Sequence, residues 1–333
     1  MIKIVRRPHA NRFVEWAKER PEVLVLSADL TSSCEVNDFR DAYPDRFISM
    51  GMAEQNMMGV AAGLAREGFS PWVHTFAVFV TRRPFDQVAM SIAYPNLPVR
   101  LVGFLPGLTT PGGVTHQAID DVGLMRLLPN MTILECGDAT DVESVLDVAD
   151  SVPGPVYIRM LRGEVPRLFP ASEPMRLGQA RRLSEGTDLC ILSAGICTEA
   201  ALNVVRALGS QLSVEHLHVS TLKPFDDPQL LGSLKRGKMG VITMENHSVI
   251  GGLGSATAEL MAEAGVAGPL VRVGLRDVYA HGASREYLMR EYGLDEAGLI
   301  AAIERLSGLD LGALSVDIRD WVAASDLAKP EAL

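Results

Sequence analysis

The stretch Met50-Gly51-Met52-Ala53-Glu54-Gln55-Asn56-Met57-Met58-Gly59-Val60-Ala61-Ala62-Gly63-Leu64 sets the reading of the whole chain. Met57, Val60, Ala61 and Leu64 fall at i, i+3, i+4 and i+7, the spacing of one helix face, and Glu54 stands where that helix begins. Upstream, Val23-Leu24-Val25-Leu26 is a continuous apolar run of strand length, so the pair reads as a buried strand followed by an amphipathic helix. Downstream the scheme repeats. Trp72-Val73-His74-Thr75 is followed by Phe85, Val88, Ala89 and Ile92 at helical spacing, then by the runs Arg100-Leu101-Val102 and Thr132-Ile133-Leu134. Val142, Val145, Leu146 and Ala149 form another helical stripe before Pro155-Val156-Tyr157-Ile158. Strands alternating with helices predict an α/β fold whose mostly parallel sheet is covered on both faces.

Between Gly163 and Gly186 the periodicity lapses into Pro166, Pro170, Pro174 and scattered charges, the composition of a connection. We therefore expect one domain over residues 1–168, a linker over 169–186 and a second α/β domain over 187–333. The second series runs through Leu189-Cys190-Ile191-Leu192, Val241-Ile242-Thr243-Met244 and Leu270-Val271-Arg272-Val273. Near the end, Ile318, Trp321 and Val322 are spaced for a helical turn or two.

The bulk composition excludes several classes. With 333 residues, 47% hydrophobic and 22% charged, the chain has the profile of a globular protein with ample core. No stretch has the length of a membrane span and no secretory signal opens the sequence, so the expected setting is cytoplasmic. A net charge of −10 argues against nucleic acid, because neutralising phosphates needs a basic surface. Cys34, Cys136, Cys190 and Cys197 show neither CxxC nor zinc spacing and read as reduced thiols without a metal.

Taken alone, Glu54 is an acid at a helix start, a place the helix dipole favours. Its surroundings say more. Ser27-Ala28-Asp29-Leu30-Thr31 lies before it, Thr75-Phe76-Ala77-Val78-Phe79 after it, and Thr115-His116-Gln117 further on. In order and approximate spacing these segments resemble the pyrimidine-binding domain of the transketolase family, and the weaker pattern of the second half resembles the family's C-terminal domain.

The resemblance implies thiamine diphosphate as cofactor, with Glu54 bonded to N1′ of its aminopyrimidine. A carboxyl there promotes the tautomer that takes the proton from the thiazolium C2, a role favoured by a largely apolar surround. Phe76 and Phe79 would flank the pyrimidine, although a pair at i, i+3 is also ordinary core. Asp29 matches a position near the cofactor and reads equally as a turn residue. His116 would face the donor's oxygens, where an imidazole can donate a hydrogen bond or relay a proton. Arg162, with Ser33 and Arg6, would meet the substrate phosphate, since a guanidinium fork suits phosphate; each could otherwise be a solvated polar group. His74 reads as structural.

An absence completes the expectation. Family members hold the diphosphate through Mg²⁺ bound at a Gly-Asp-Gly stretch, which this sequence lacks; Gly137-Asp138-Ala139 is in the wrong setting. The implied partner is an N-terminal-section transketolase subunit carrying the diphosphate and Mg²⁺ site, with two copies of each chain, acting on sugar phosphates. Gly251-Gly252-Leu253-Gly254 raises a nucleotide loop as a rival, but the spacing is not G-x-G-x-x-G. The competing enzymes are a deoxyxylulose phosphate synthase and the beta subunit of a 2-oxo acid dehydrogenase; a third alternative is a non-catalytic binding subunit of the same fold. The sequence also departs from the family: Gly112 stands where many members have an aspartate, and Phe104 where they have a histidine. Loss of these polar groups predicts more room and altered sugar specificity.

Overall fold

The computed structural model describes residues 2–312 and 314, so the Ile318, Trp321 and Val322 stripe lies outside the described residues. The first half runs β1 (Lys3–Arg6), α1 (Pro8–Ala17), β2 (Val23–Ser27), α2 (Asn37–Ala42), β3 (Phe47–Ser49), α3 (Glu54–Arg66), β4 (Ser70–Phe76) and α4 (Ala77–Thr81). It continues with α5 (Phe85–Gln87), β5 (Arg100–Phe104), α6 (Asp121–Arg126), β6 (Thr132–Glu135), α7 (Ala139–Asp150), β7 (Val156–Met160) and β8 (Glu164–Arg167). The second half adds β9 (Arg181–Ser184), β10 (Leu189–Ser193), α8 (Cys197–Leu208), β11 (Val214–His218), β12 (Thr221–Lys223) and α9 (Pro228–Arg236). It ends with β13 (Gly240–Ser248), α10 (Leu253–Glu263), β14 (Leu270–Leu275), α11 (Arg285–Glu291) and α12 (Glu296–Ser307).

Seven strands form the first sheet in the order β12-β6-β7-β5-β4-β2-β3, and five form the second in the order β14-β13-β10-β11-β9. All neighbours in both sheets are parallel except β12 and β9, which are antiparallel edges. The central strands β2, β5, β7 and β10 are buried along their whole lengths, as parallel strands covered on both faces must be. The expected fold, two α/β domains with mostly parallel sheets, is the observed one.

Two elements depart from the expected organisation. The presumed linker contains β9, which pairs with β11. Its sequence, Arg-Arg-Leu-Ser, has no apolar run, because a half-exposed edge strand needs none. More consequentially, β12 leaves the second half to complete the first sheet, placing Thr221 opposite Leu134 and Lys223 opposite Ile133. Lys223 then donates from Nζ to the Arg126 carbonyl at 3.0 Å and to that of Leu128. One core cluster runs through both halves, joining Leu26 and Met57 to Leu192, Leu217, Val241 and Leu253.

A buried ion cluster ties the halves further. Arg159 on β7 donates from Nε to Asp121 Oδ2 at 2.8 Å, from Nη1 to Glu135, and from Nη2 to the Asn246 carbonyl of β13 at 3.0 Å. Tyr157 also donates to Asp121 Oδ2, at 2.6 Å.

The glycines that raised a nucleotide loop serve the same joint. A Cβ on Gly252 would fall on Glu245 Oε2, and Gly251, at φ 87°, approaches Gly123 so closely that its Cβ would lie 2.8 Å from that Cα. The Glu245 carboxylate instead accepts the amides of Leu253 and Gly254 at 2.6 and 2.8 Å. It fills the N-terminus of α10, where a nucleotide phosphate would otherwise bind.

Candidate active site

Chemistry in an open parallel sheet belongs at the carboxyl ends of its strands, where loops converge. Most candidate residues of the first half follow β2 (Asp29, Ser33), β3 (Glu54), β4 (Phe79), β5 (His116) and β7 (Arg162), and Phe76 closes β4.

The helix period decides the place of Glu54. In α3 the buried positions are Glu54, Met57, Met58, Ala61, Ala62 and Ala65, so the carboxylate shares the inward face at i, i+3 and i+4 with two methionines. It is 4% exposed. Two of the residues in the expected stripe, Val60 and Leu64, are only half-buried, and the stripe is rotated towards Met58 and Ala62.

Around this carboxylate the structure gathers the aromatic candidates. Phe76 and Phe79 stack with centroids 5.9 Å apart, and His116 meets Phe79 and Phe76 edge-on at 5.3 and 6.2 Å. Arg83, which the sequence reading missed, joins them to Glu54: its Nη1 donates to Glu54 Oε1 at 2.8 Å while its Cζ lies 4.0 Å from the Phe79 centroid. The only signal was proximity in sequence, because Arg83 follows Phe79 by four residues in the turn after α4.

The loop bearing His116 is fastened from several sides. Arg82 donates from Nε to both carboxylate oxygens of Asp120, at 2.9 and 3.0 Å, and from Nη2 to the Gln117 carbonyl at 3.3 Å. The second half supplies two clamps: Asn246 Oδ1 accepts the Leu108 amide at 2.9 Å, and Gln117 Nε2 donates to the His281 carbonyl at 3.1 Å. His116 Nδ1 lies 2.9 Å from Thr115 Oγ1.

A second group forms around the presumed phosphate residues. Arg162 Nη1 donates to the Ser33 carbonyl at 3.0 Å, so these two meet. Glu35 Oε1 accepts the Gly163 amide at 2.7 Å and fixes the turn that carries Arg162. Burial raises the Glu35 carboxyl above its ordinary range, against the opposing pull of that amide and of Arg7. Arg6 points elsewhere: its side chain is 78% exposed and paired with Glu164 at 2.9 Å, across from it in the β1–β8 ladder. Asp29 is exposed and has a left-handed backbone, φ 62°. Aspartate tolerates that conformation better than most residues, so its place in the turn does not depend on a ligand.

The expectation of extra room is corrected at Phe104. Phe104 is fully buried and packs against the imidazoles of His9 and His74, 5.4 and 6.1 Å away, so its ring fills the core behind the sheet. At Gly112, which is exposed, a Cβ would lie 3.0 Å from both Cβ and Cγ of His116, so a side chain there would crowd that residue. His74 is structural, as read: burial holds its pKa down to about 4, and its Nε2 lies 3.2 Å from that of His9. The four thiols are all buried and free, with burial pushing Cys190 up to about 12. Among the described residues, no group of three or more His, Cys, Asp or Glu side chains is arranged to hold a metal, and no helix is long and apolar enough to cross a membrane.

Two α/β units, with a buried acid linked through Arg83 to an aromatic pair near the strand ends, fit one class, and sequence comparison agrees. Residues 5–167 match the family model described as transketolase, pyrimidine binding domain, and residues 178–299 that described as transketolase, C-terminal domain. The chain belongs to the transketolase family, which depends on thiamine diphosphate.

Within the family, the 6-deoxy-6-sulfo-D-fructose transketolase subunit SqwH of Clostridium sp. (strain MSTE9) is 39% identical over 306 residues, 91% of this chain and 94% of that protein. A solved structure described as a split gene transketolase, inactive beta4 tetramer, superposes with a TM-score of 0.82 at 39% identity, covering 90% of this chain and 96% of that one. The 1-deoxy-D-xylulose-5-phosphate synthase of Xylella fastidiosa (strain M12) is 32% identical over 304 residues, 90% of this chain but 47% of that enzyme, so the chain spans about half of it.

Proposed function

We propose that this chain is the pyrimidine-binding subunit of a split transketolase that moves a two-carbon ketol unit between sugar phosphates, in a site shared with a diphosphate-binding partner. The observation that carries the reading is Glu54 on the buried face of α3, joined through Arg83 to the ring cluster of Phe76, Phe79 and His116. The donor set fits the pyrimidine end of thiamine diphosphate: stacked rings offer a planar apolar face, and the acid stands where a ring nitrogen needs a proton. When bound, the cofactor supplies the carbon nucleophile that cleaves the ketose.

The protein's own residues do the rest. Glu54 holds a proton at the heterocycle's N1′, and Phe76 and Phe79 stack on the ring and exclude water, so that the proton is not lost to solvent. His116, seated against Phe79, donates to the donor's oxygen or relays its proton. Arg162 turns its guanidinium from the Ser33 carbonyl to the substrate phosphate, which binds it more strongly as a charge-assisted pair. Arg6 contributes only if Glu164 releases it, and Asp29 completes the rim beside the cofactor.

The partner is an N-terminal-section transketolase subunit bearing the Gly-Asp-Gly stretch that this chain lacks, with Mg²⁺ held there and two copies of each chain in a cytoplasmic assembly. Support comes from the absent motif and from the subunit named in the sulfosugar relative. The test is reconstitution. With thiamine diphosphate and Mg²⁺ the chain alone should be inactive, and adding the partner should restore ketol transfer; robust activity of the isolated chain would sink the shared-site reading. Pyruvate, xylulose phosphate and a sulfonate-bearing ketose should be compared as donors. Turnover of pyruvate alone would favour the deoxyxylulose phosphate synthase alternative.

A further inference from the structure

Arg83 has no role in the chemistry above, yet it touches both groups to which that chemistry assigns the heterocycle. Its Nη1 donates to Glu54 Oε1 at 2.8 Å, and its Cζ sits 4.0 Å from the centroid of Phe79. A guanidinium is planar, cationic and rich in N–H donors. Those are the features that a protonated aminopyrimidine presents to a carboxylate and an aromatic face. We propose that Arg83 is an internal competitor of the cofactor's pyrimidine, which has to leave Glu54 and the face of Phe79 before the heterocycle can stack.

Several observations make Arg83 displaceable and not a fixed wall. Its side chain is 50% exposed whereas that of Glu54 is 4% exposed, so the guanidinium has solvent to move into while the carboxylate stays in place. Arg83 lies between the short helices α4 and α5, outside any strand. The backbone there is held independently, because Gln55 Nε2 donates to the Arg83 carbonyl at 3.3 Å, so the side chain can swing without the chain moving.

While Arg83 is docked, its guanidinium occupies Glu54 Oε1 and the face of Phe79; once it swings out, both are open to the heterocycle. This inference rests on the thiamine diphosphate reading.

The experiment uses the full chain reconstituted with its N-terminal-section partner and measures thiamine diphosphate binding, with Mg²⁺, by calorimetry and quenching of tryptophan fluorescence. Removing a competitor raises the binding-competent fraction, so Arg83→Gln should lower the apparent dissociation constant by about 3- to 30-fold. Arg83→Lys keeps the charge but cannot lie flat on Phe79, and should shift it in the same direction by less. If Arg83→Gln leaves the chain unfolded, judged by circular dichroism, the lysine variant decides. An unchanged constant overturns the proposal, and a weaker one shows instead that Arg83 helps to hold the cofactor. If wild type and both variants fail to bind, the cofactor assignment is at fault and the proposal falls with it.

Discussion

Replacing Arg159 by methionine tests the joint between the halves, because the stem's packing is kept while the charge is removed. In the native protein the guanidinium serves two carboxylates, bonding Asp121 at 2.8 and 3.2 Å as well as Glu135, with Arg159 and both acids at or near zero exposure. Asp121 keeps its bond from Tyr157, and Glu135 loses its counter-charge. Breaking a buried pair by removing one partner costs roughly 3–5 kcal/mol, and that range is expected here near pH 8.

The loss should depend on pH. Burial raises the Glu135 carboxyl, Arg159 opposes that and Asp121 adds to it, so without Arg159 the folded-state pKa rises further. A carboxyl raised above its unfolded value of about 4.3 keeps its stability below that value and loses it as pH climbs through the folded pKa. The deficit of Arg159→Met should therefore be small near pH 5 and grow towards pH 8. Urea unfolding followed by tryptophan fluorescence at both pH values measures it. A loss under about 1 kcal/mol at pH 8, or one that shrinks as pH rises, would refute the account of a buried charge left without its partner.

Glu54→Gln in the reconstituted pair should lower turnover by about 10²–10⁴, as removal of a general acid–base group does, and slow exchange of the thiamine C2 proton seen by NMR; unchanged exchange would leave Glu54 a helix-start charge. Gly112→Asp should lower kcat/KM by about tenfold or more on every sugar, because its Cβ would press on His116 at 3.0 Å and unseat the ring. Improved use of xylulose phosphate by that variant would mean that the missing aspartate, not the seating of His116, sets specificity. Burial pushes Glu245 up to about 7 despite the amides of Gly254 and Leu253, with Glu135 adding to the rise and Arg159 opposing it. Thermal stability should accordingly fall as pH rises from about 4.3 towards 7, and Glu245→Gln should flatten that slope; equal slopes in melting scans would exclude the assignment.

Local periodicity carries far in this protein and then stops. The apolar run Val23–Leu26 and the stripe begun at Met57 were enough for a parallel α/β fold, because buried strands and amphipathic helices write their environment into residues two to seven apart. Motif order likewise marked Glu54, Phe76, Phe79 and His116, which the structure brings together. Features decided by partners far along the chain had no such trace. Three-residue β12 is too short to show a period, and its place on the first sheet depends on β6 nearly ninety positions earlier. Arg159 and Arg83 look like surface cations in sequence, yet one is buried against Asp121 and Glu135 and the other is laid on Glu54 and Phe79. Whether a charge is solvated or paired is set by what the tertiary packing puts opposite it. The same packing turned Phe104 into the core and paired Arg6 with Glu164, two outcomes that residue type alone leaves open.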